Sequence, residues 1–327
     1  MTNNRESSDA AGLSLHLNQY IGIYNLSTQR CMPGVKQRLR RLQGAQLQSE
    51  CAAAICRIEV KADKMARPKK KDPDAHGSTD AGILGLPDQL VNLIDPALPK
   101  TSQVYAIMRR AIVNLHLAPG SNVNEKLICD QLGISRTPLR EAILQLQSEN
   151  LVLIIPNSGT FVSKIDLQSV FDGQLVRDAL ELKVVRLAAS RMTPQFERAL
   201  DFNLHQQKRM AADFDYDEFY LLDEAFHAMI CEFGASAYIW KIINGAKAQL
   251  DRVRRMSYPL VSHLDLVLNE HIAVVDGLKQ REPEVAAAAM KIHIDRVFTV
   301  IRRLITERRD YFAADASELL DGFVNSR

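Results

Sequence analysis

Two sets of side chains in this 327-residue sequence have the types and spacing to do chemistry. The first begins with Asp223 and His227, four residues apart and therefore one turn from each other on a helix face. His271 falls on a later helical segment and His293 on the next, with Pro283 interrupting the chain between them. One carboxylate and three imidazoles from three helices suit a divalent transition metal, and zinc, nickel and manganese are all chemically acceptable. The competing reading is three ordinary histidines, satisfied in a core or on a surface. The setting is apolar: Asp223 and His227 share their stripe with Phe226 and Ile230, and His271 and His293 lie among Leu268, Val275, Met290 and Val297. On the residues alone both readings stand. A metal with an open position could activate water. No further carboxylate, serine or cysteine has a spacing that makes it a base or nucleophile, so no enzyme is expected.

The second set opens a helix with Ser135, Arg136, Thr137 and Arg140, and no acidic residue precedes Glu141 in that helix. Arg136 and Arg140 are four apart and project from one face. Each guanidinium fork matches guanine O6/N7 or a phosphate. Gln145, further along, could reach the backbone of a duplex. Downstream, Asn157-Ser158-Gly159 forms a tip without bulk that can approach a minor groove or a phosphate. These features point to double-stranded DNA as a partner.

The elements that must position these residues are legible in part. Val104, Ile107, Met108, Ala111, Ile112 and Leu115 recur at helical spacing and predict one helix, closed by Leu117-Ala-Pro-Gly. Asn124 is placed to cap a short helix running to Leu132, which Gly133 ends; Ser135 is placed to cap the next, with Pro138 in its first turn. Two short β-prone runs, 151–155 and 160–163, flank the Pro156–Gly159 tip. Three helices and a hairpin predict a winged helix-turn-helix over residues 100–165. Residues 166–315 read as an antiparallel all-α bundle, with helices near 166–191, 194–213, 216–233, 237–257, 260–280 and 283–312. The fold class is therefore mostly α, and residues 316–327 read as a tail.

The rest bounds the reading. Hydrophobic residues make up 46% and charged residues 24%, the balance of a globular protein. No run of roughly 18 apolar residues predicts a membrane span, and the first residues lack the apolar core of a secretory signal. Five cysteines make no disulfide framework, so a reducing, cytoplasmic setting is expected. Basic residues outnumber acidic 20 to 14 over residues 1–165, and acidic outnumber basic 25 to 21 beyond, an asymmetry compatible with a nucleic-acid-binding front. Residues 1–64 read as a poorly structured extension and 65–99 as a basic arm and linker, with Met65 as the expected biological start.

The strings Leu117-Ala-Pro-Gly, Asn124-Glu125, Leu132-Gly-Ile-Ser-Arg-Thr-Pro-Leu-Arg-Glu-Ala-Ile143 and Gly159-Thr-x-Val162 closely resemble the DNA-binding domain of GntR-family bacterial regulators. One departure is Asn150, where the family usually has glycine; asparagine tolerates a left-handed backbone. Arg177-x-x-Leu-Glu181, Asp223-x-x-x-His227, His271 and His293 resemble the FCD ligand-binding domain of the FadR-type branch. Ser236-Ala237 replaces a frequent Asn-Pro pair, and serine is expected to cap in its place. The resemblance implies that Asp223, His227, His271 and His293 hold a metal at the bottom of a pocket. The chain then reads as a homodimeric, repressor- or activator-type regulator whose small carboxylate effector sits at that metal. Arg177 is the candidate second grip on the effector, against a plain ion pair with Glu181, and Arg252 is a further pocket candidate. The alternative is a metal-responsive or architectural DNA-binding protein with no organic effector.

Overall fold

The computed structural model describes residues 85–95, 97–260 and 262–325. The extension 1–64, Met65 and most of the arm lie outside the described residues. Helix α1 (Asp88–Val91) buries Leu90 in the first core, so the end of the segment read as a linker belongs to the domain that follows. Gln131 holds the chain there, its amide exchanging bonds with Leu86 N and O at 2.9 and 3.0 Å.

Helix α2 (Lys100–Val113) buries Val104, Ile107, Met108, Ala111 and Ile112 at helical spacing. It ends two residues earlier than the pattern predicts: Leu115 is left-handed at φ 62°, and Leu117 takes the core position instead. In α3 (Glu125–Leu132) Asn124 accepts from Leu127 N at 2.9 Å, and Gly133 closes the helix at φ 60°. Helix α4 (Arg136–Ser148) packs Leu139, Ala142, Ile143 and Leu146 inward. Ser135 stands at its cap position, but its side chain makes no capping bond. Asn150 is left-handed at φ 57°, as its family position requires. Strands β1 (Val152–Ile155) and β2 (Gly159–Val162) pair antiparallel from Val152↔Val162 to Ile155↔Gly159, and Asn122 bridges to Phe161.

The bundle follows as α5 (Leu167–Ser190), α6 (Pro194–Asp213), α7 (Tyr216–Gly234), α8 (Ala237–Ala246), α9 (Ala248–Ser257), α10 (His263–Lys279), α11 (Pro283–Ile294), α12 (Arg296–Glu307) and α13 (Ala316–Asn325). Asp166, Thr193 and Asp215 cap α5, α6 and α7 through their side chains; Ser236 makes no such bond at α8. Two expected helices are each divided. Residues 237–257 break at Lys247, which is buried with its ammonium on Glu224 at 2.6 Å and on Asp251. Gly173 of α5 presses on this break: a Cβ there would lie 2.9 Å from Ala246 O. Residues 283–312 break at Asp295, where Gln174 Nε2 takes the Ile294 carbonyl at 2.9 Å. The expected tail is helix α13, whose Phe323 stacks on Phe171 at 3.9 Å.

Helices α10 and α11 approach closely at Gly277, where a Cβ would lie 2.7 Å from the Ala286 backbone. Gly277→Ala forces those helices apart and is expected to cost about 1–3 kcal/mol, read as a lower urea midpoint.

Candidate functional site

Helices α7, α10 and α11 bring Asp223, His227, His271 and His293 together, all buried, with one ligand atom from each inside a 4.8 Å cluster. His227 Nε2 and His271 Nε2 lie 3.1 and 3.2 Å from His293 Nε2, and His271 Nε2 is 3.4 Å from Asp223 Oδ1. Ligands roughly 2.0–2.1 Å from a zinc-sized ion stand about 3.0–3.4 Å apart.

The far side of each ring fixes which nitrogen points inward. His227 Nδ1 faces Glu181 Oε2 at 2.7 Å, and His293 Nδ1 faces Glu270 Oε2 at 3.2 Å. His271 Nδ1 faces Gln207 Oε1 at 2.7 Å. The Gln207 amide is oriented by its own bond to Asn203 Oδ1 at 2.7 Å, and Asn203 donates to Leu222 O at 3.0 Å. An acceptor oxygen thus stands beside each Nδ1, hydrogen-bonded for His271 and His293 and at 2.7 Å without a hydrogen bond for His227, and the three Nε2 atoms converge, the arrangement of metal-binding histidines with outer partners. Asp223 Oδ1 is buried without a hydrogen-bond partner among the described residues. Burial opposes the charge on Asp223, but Arg254 and then the imidazoles outweigh it and hold the carboxyl far below the usual range. Burial first, and a neighbouring imidazole second, hold His271 and His293 well below the usual histidine value, in the neutral form a metal takes. The residues present fit a divalent metal.

A narrow cavity adjoins the cluster, lined by Arg177, Arg254 and Arg296 together with Asp223 and His293. Arg177 is buried; its Nε donates to Glu181 at 2.6 Å, and its Nη2 lies 3.2 Å from His227 Nε2. Arg177 thus makes the ion pair with Glu181 and also stands beside the cluster at His227. Arg254 binds Asp223 directly, and also Glu224 at 3.1 Å and Asp251 at 3.0 Å. Arg296 is held by Glu270 at 2.6 Å.

Arg252 is not at this cavity. It faces the opposite way along α9, with Nη2 on Ser163 O at 2.7 Å and Nη1 on Gln249 Oε1 at 2.9 Å. Two positions along a helix turn a side chain by about 200°, so Arg254 and not Arg252 meets Asp223. The signal was present in the sequence: Lys247, Asp251 and Arg254 form one charged face at i, i+4 and i+7, and α7 supplies Asp223 and Glu224 opposite. Gln249 Nε2 donates to Asn150 O at 2.8 Å, so α9 contacts the helix-turn-helix through Gln249 and the Asp/His cluster through Arg254. Arg109 of α2 adds a bond to Asn244 O at 3.0 Å.

Ser135, Arg136, Thr137, Arg140 and Gln145 are all exposed along α4, and Asn157 and Gly159 are exposed at the hairpin tip with φ 60° and 117°. Arg140 has an exposed side chain whose Nε lies 3.9 Å from Glu125 Oε2. Among the described residues no helix is long and apolar enough to cross a membrane.

A winged helix joined to an α-helical bundle with a buried Asp/His₃ cluster defines a class of DNA-binding regulator. Residues 100–162 match the model of bacterial regulatory proteins of the gntR family, and residues 174–296 match the FCD domain. The chain is 33% identical to the HTH-type transcriptional repressor RspR of Escherichia coli strain K12 over 68% of this chain and 97% of that one. It is 30% identical to the Nta operon transcriptional regulator of Aminobacter aminovorans, over 60% of this chain and 93% of that one. The fold is similar to that of E. coli McbR/YncC, with a TM-score of 0.57 at 21% identity over 63% of this chain and 98% of that one. The chain belongs to the GntR family and carries an FCD domain; it is a transcriptional regulator.

Proposed function

We propose that this regulator works as a homodimer whose affinity for an operator is set by a small carboxylate-type anion held at a divalent metal in the bundle. The observation that carries the reading is the convergence of three Nε2 atoms on unpartnered Asp223 Oδ1, beside three arginines. Asp223, His227, His271 and His293 would hold the ion, and the ion would supply an open coordination position for an anion. Arg177 lies within reach of that position.

At the other end, Ser135, Arg136, Thr137 and Arg140 meet the major groove, Gln145 meets the backbone, and Asn157 and Gly159 approach an adjoining groove. Dimerisation is supported by the outer face of α8 and α5, where Tyr238, Ile242 and Leu175 are exposed at 67%, 40% and 68%. A second copy seated there places two winged helices on the half-sites of a roughly palindromic operator.

Helix α9 couples the two ends. An anion that draws on Arg254 competes with Asp223, Glu224 and Asp251 for that guanidinium. A shift of α9 moves Gln249 and Arg252 against Asn150 and Ser163. Two arrangements of α9 with different anion affinities then have different operator affinities, by linkage.

The test is a melting screen of the metal-loaded full chain against sugar acids and dicarboxylates, followed by titration of DNA selected by the protein from a random pool. At least one acid is expected to raise the melting temperature and change DNA affinity by about 5–150-fold. If none raises it, the ion alone is the signal. Arg252→Met is the companion. The Arg252 guanidinium is buried with no carboxylate partner among the described residues, and burial pulls its pKa down. The substitution removes a costly buried charge together with the bonds to Ser163 O and Gln249 Oε1, so the loss and the gain offset and stability is expected to hold within about 2 kcal/mol. The acid's effect on DNA affinity is expected to shrink to less than about a third, read in the same titration.

A further inference from the structure

A second cavity, of about 280 Å³, opens where the winged helix meets the bundle, and it shares no lining residue with the one beside the imidazoles. Three walls enclose it: the end of α4 at Glu149 and Asn150, the face of α5 that carries Asp172 and Val176, and the junction of α8 and α9 at Ala246 and Gln249. That is room for a compact organic molecule and not only for water.

Its chemistry is one-sided. No lysine, arginine or histidine lines it. Glu149 is neutralised by α2, since it accepts from Tyr105 OH and from Arg109 Nε at 2.8 Å. Asp172 is exposed; its Oδ1 accepts from Gln168 Nε2 at 3.0 Å, and no cation pairs with it among the described residues. Two helices also end at this cavity, α4 at Ser148 and α8 at Ala246, and a helix C-terminus presents the negative end of its dipole. One unpaired carboxylate and two dipole ends repel an anion and attract a cation. The position is as telling as the charge. Gln249 Nε2 donates to Asn150 O at 2.8 Å, and Gln249 Oε1 accepts from Arg252 Nη1 at 2.9 Å, whose Nη2 holds Ser163 O. An occupant therefore touches the contact through which α9 holds the winged helix.

We infer that this cleft binds a small organic amine, with its ammonium donating to Asp172 and to the carbonyl ends of α4 and α8 and its apolar body lying along Val176 and Ala246. The bound amine changes DNA affinity by biasing the placement of the winged helix on α9. Ligand class, residues and location all differ from those of the Asp/His cluster, so neither site depends on the other.

The experiment is calorimetric titration of the full chain with butylamine and with its uncharged counterpart of the same shape, 1-butanol. Butylamine is expected to bind at least about 5-fold more tightly, the combined effect of one carboxylate and two helix ends. Asp172→Asn keeps an oxygen for Gln168 and removes only the charge. It is expected to reduce the preference to about 2-fold or less, with 1-butanol affinity and melting temperature unchanged. In fluorescence anisotropy with protein-selected DNA, saturating butylamine is expected to change affinity by about 5-fold or more. The Asp172→Asn protein should show no such response, which separates this site from amine bound to the DNA itself. Equal affinities for amine and alcohol, or a preference that survives in Asp172→Asn, overturns the site. Butylamine that binds through Asp172 yet leaves DNA affinity unchanged overturns the coupling. None of these outcomes bears on the anion reading of the other cavity.

Discussion

Stripping a divalent ion from the proposed Asp223/His227/His271/His293 site with a chelator is expected to lower the melting temperature by roughly 8–16 °C. The His227 and His271 Nε2 atoms stand 3.1 and 3.2 Å from His293 Nε2, while Glu181, Gln207 and Glu270 lie beside the opposite ring nitrogens. The three nitrogens crowd one another in a buried site; Arg177 Nη2 reaches His227 alone, and a shared cation or a proton would satisfy the set. Protons are disfavoured there, because burial holds His271 and His293 neutral. An ion present at a thousandfold its Kd contributes about 4 kcal/mol, and each kcal/mol moves the melting temperature of a domain this size by about 2–4 °C. Elemental analysis should find about one equivalent of metal per chain. His271→Ala should carry far less metal and lose the chelator's effect, since the ring buried between Gln207 and His293 is then absent. Metal-free protein with an unchanged melting curve would refute the assignment.

The difference between what was and was not readable in the sequence follows the range of the contacts involved. Asn124, Gly133 and Asn150 signal local backbone needs, a cap and two left-handed residues, and each stands where its type predicts. The four clustered side chains were readable only in part: on the residues alone the ordinary-histidine reading stood equally, and the family resemblance picked out all four. What supports them was not readable. Gln207 lies 64 residues before His271 and Glu270 lies 23 before His293. No periodicity announces such pairings. The divisions at Lys247 and Asp295 have the same origin, since each helix is interrupted by α5 from the outside, through Gly173 and Gln174. Ser135 is instructive in another way. It occupies the cap position its type predicts, yet its hydroxyl is uncommitted to the helix and exposed on the face opposite the core.

That face yields the second large effect. Arg136→Ala and Arg140→Ala are each expected to weaken binding to protein-selected DNA by about 1–3 kcal/mol, the range for a bidentate guanine or phosphate contact. Neither should disturb the fold, because both side chains are exposed. The two losses should differ. Arg140 stands 3.9 Å from Glu125, and Glu125 Oε1 accepts from Thr160 Oγ1 of β2 at 3.1 Å, so one carboxylate sits between the recognition helix and the wing. Removing Arg140 leaves that carboxylate uncompensated near the phosphates, whereas removing Arg136 exposes no such charge. Arg140→Ala should therefore be the more damaging, and adding Glu125→Gln should recover part of its loss. Fluorescence anisotropy at several salt concentrations separates the roles: a lost phosphate contact lowers the salt slope by about one, and a lost base contact relaxes discrimination at one position instead. Undiminished binding by both variants would remove α4 as the reading helix.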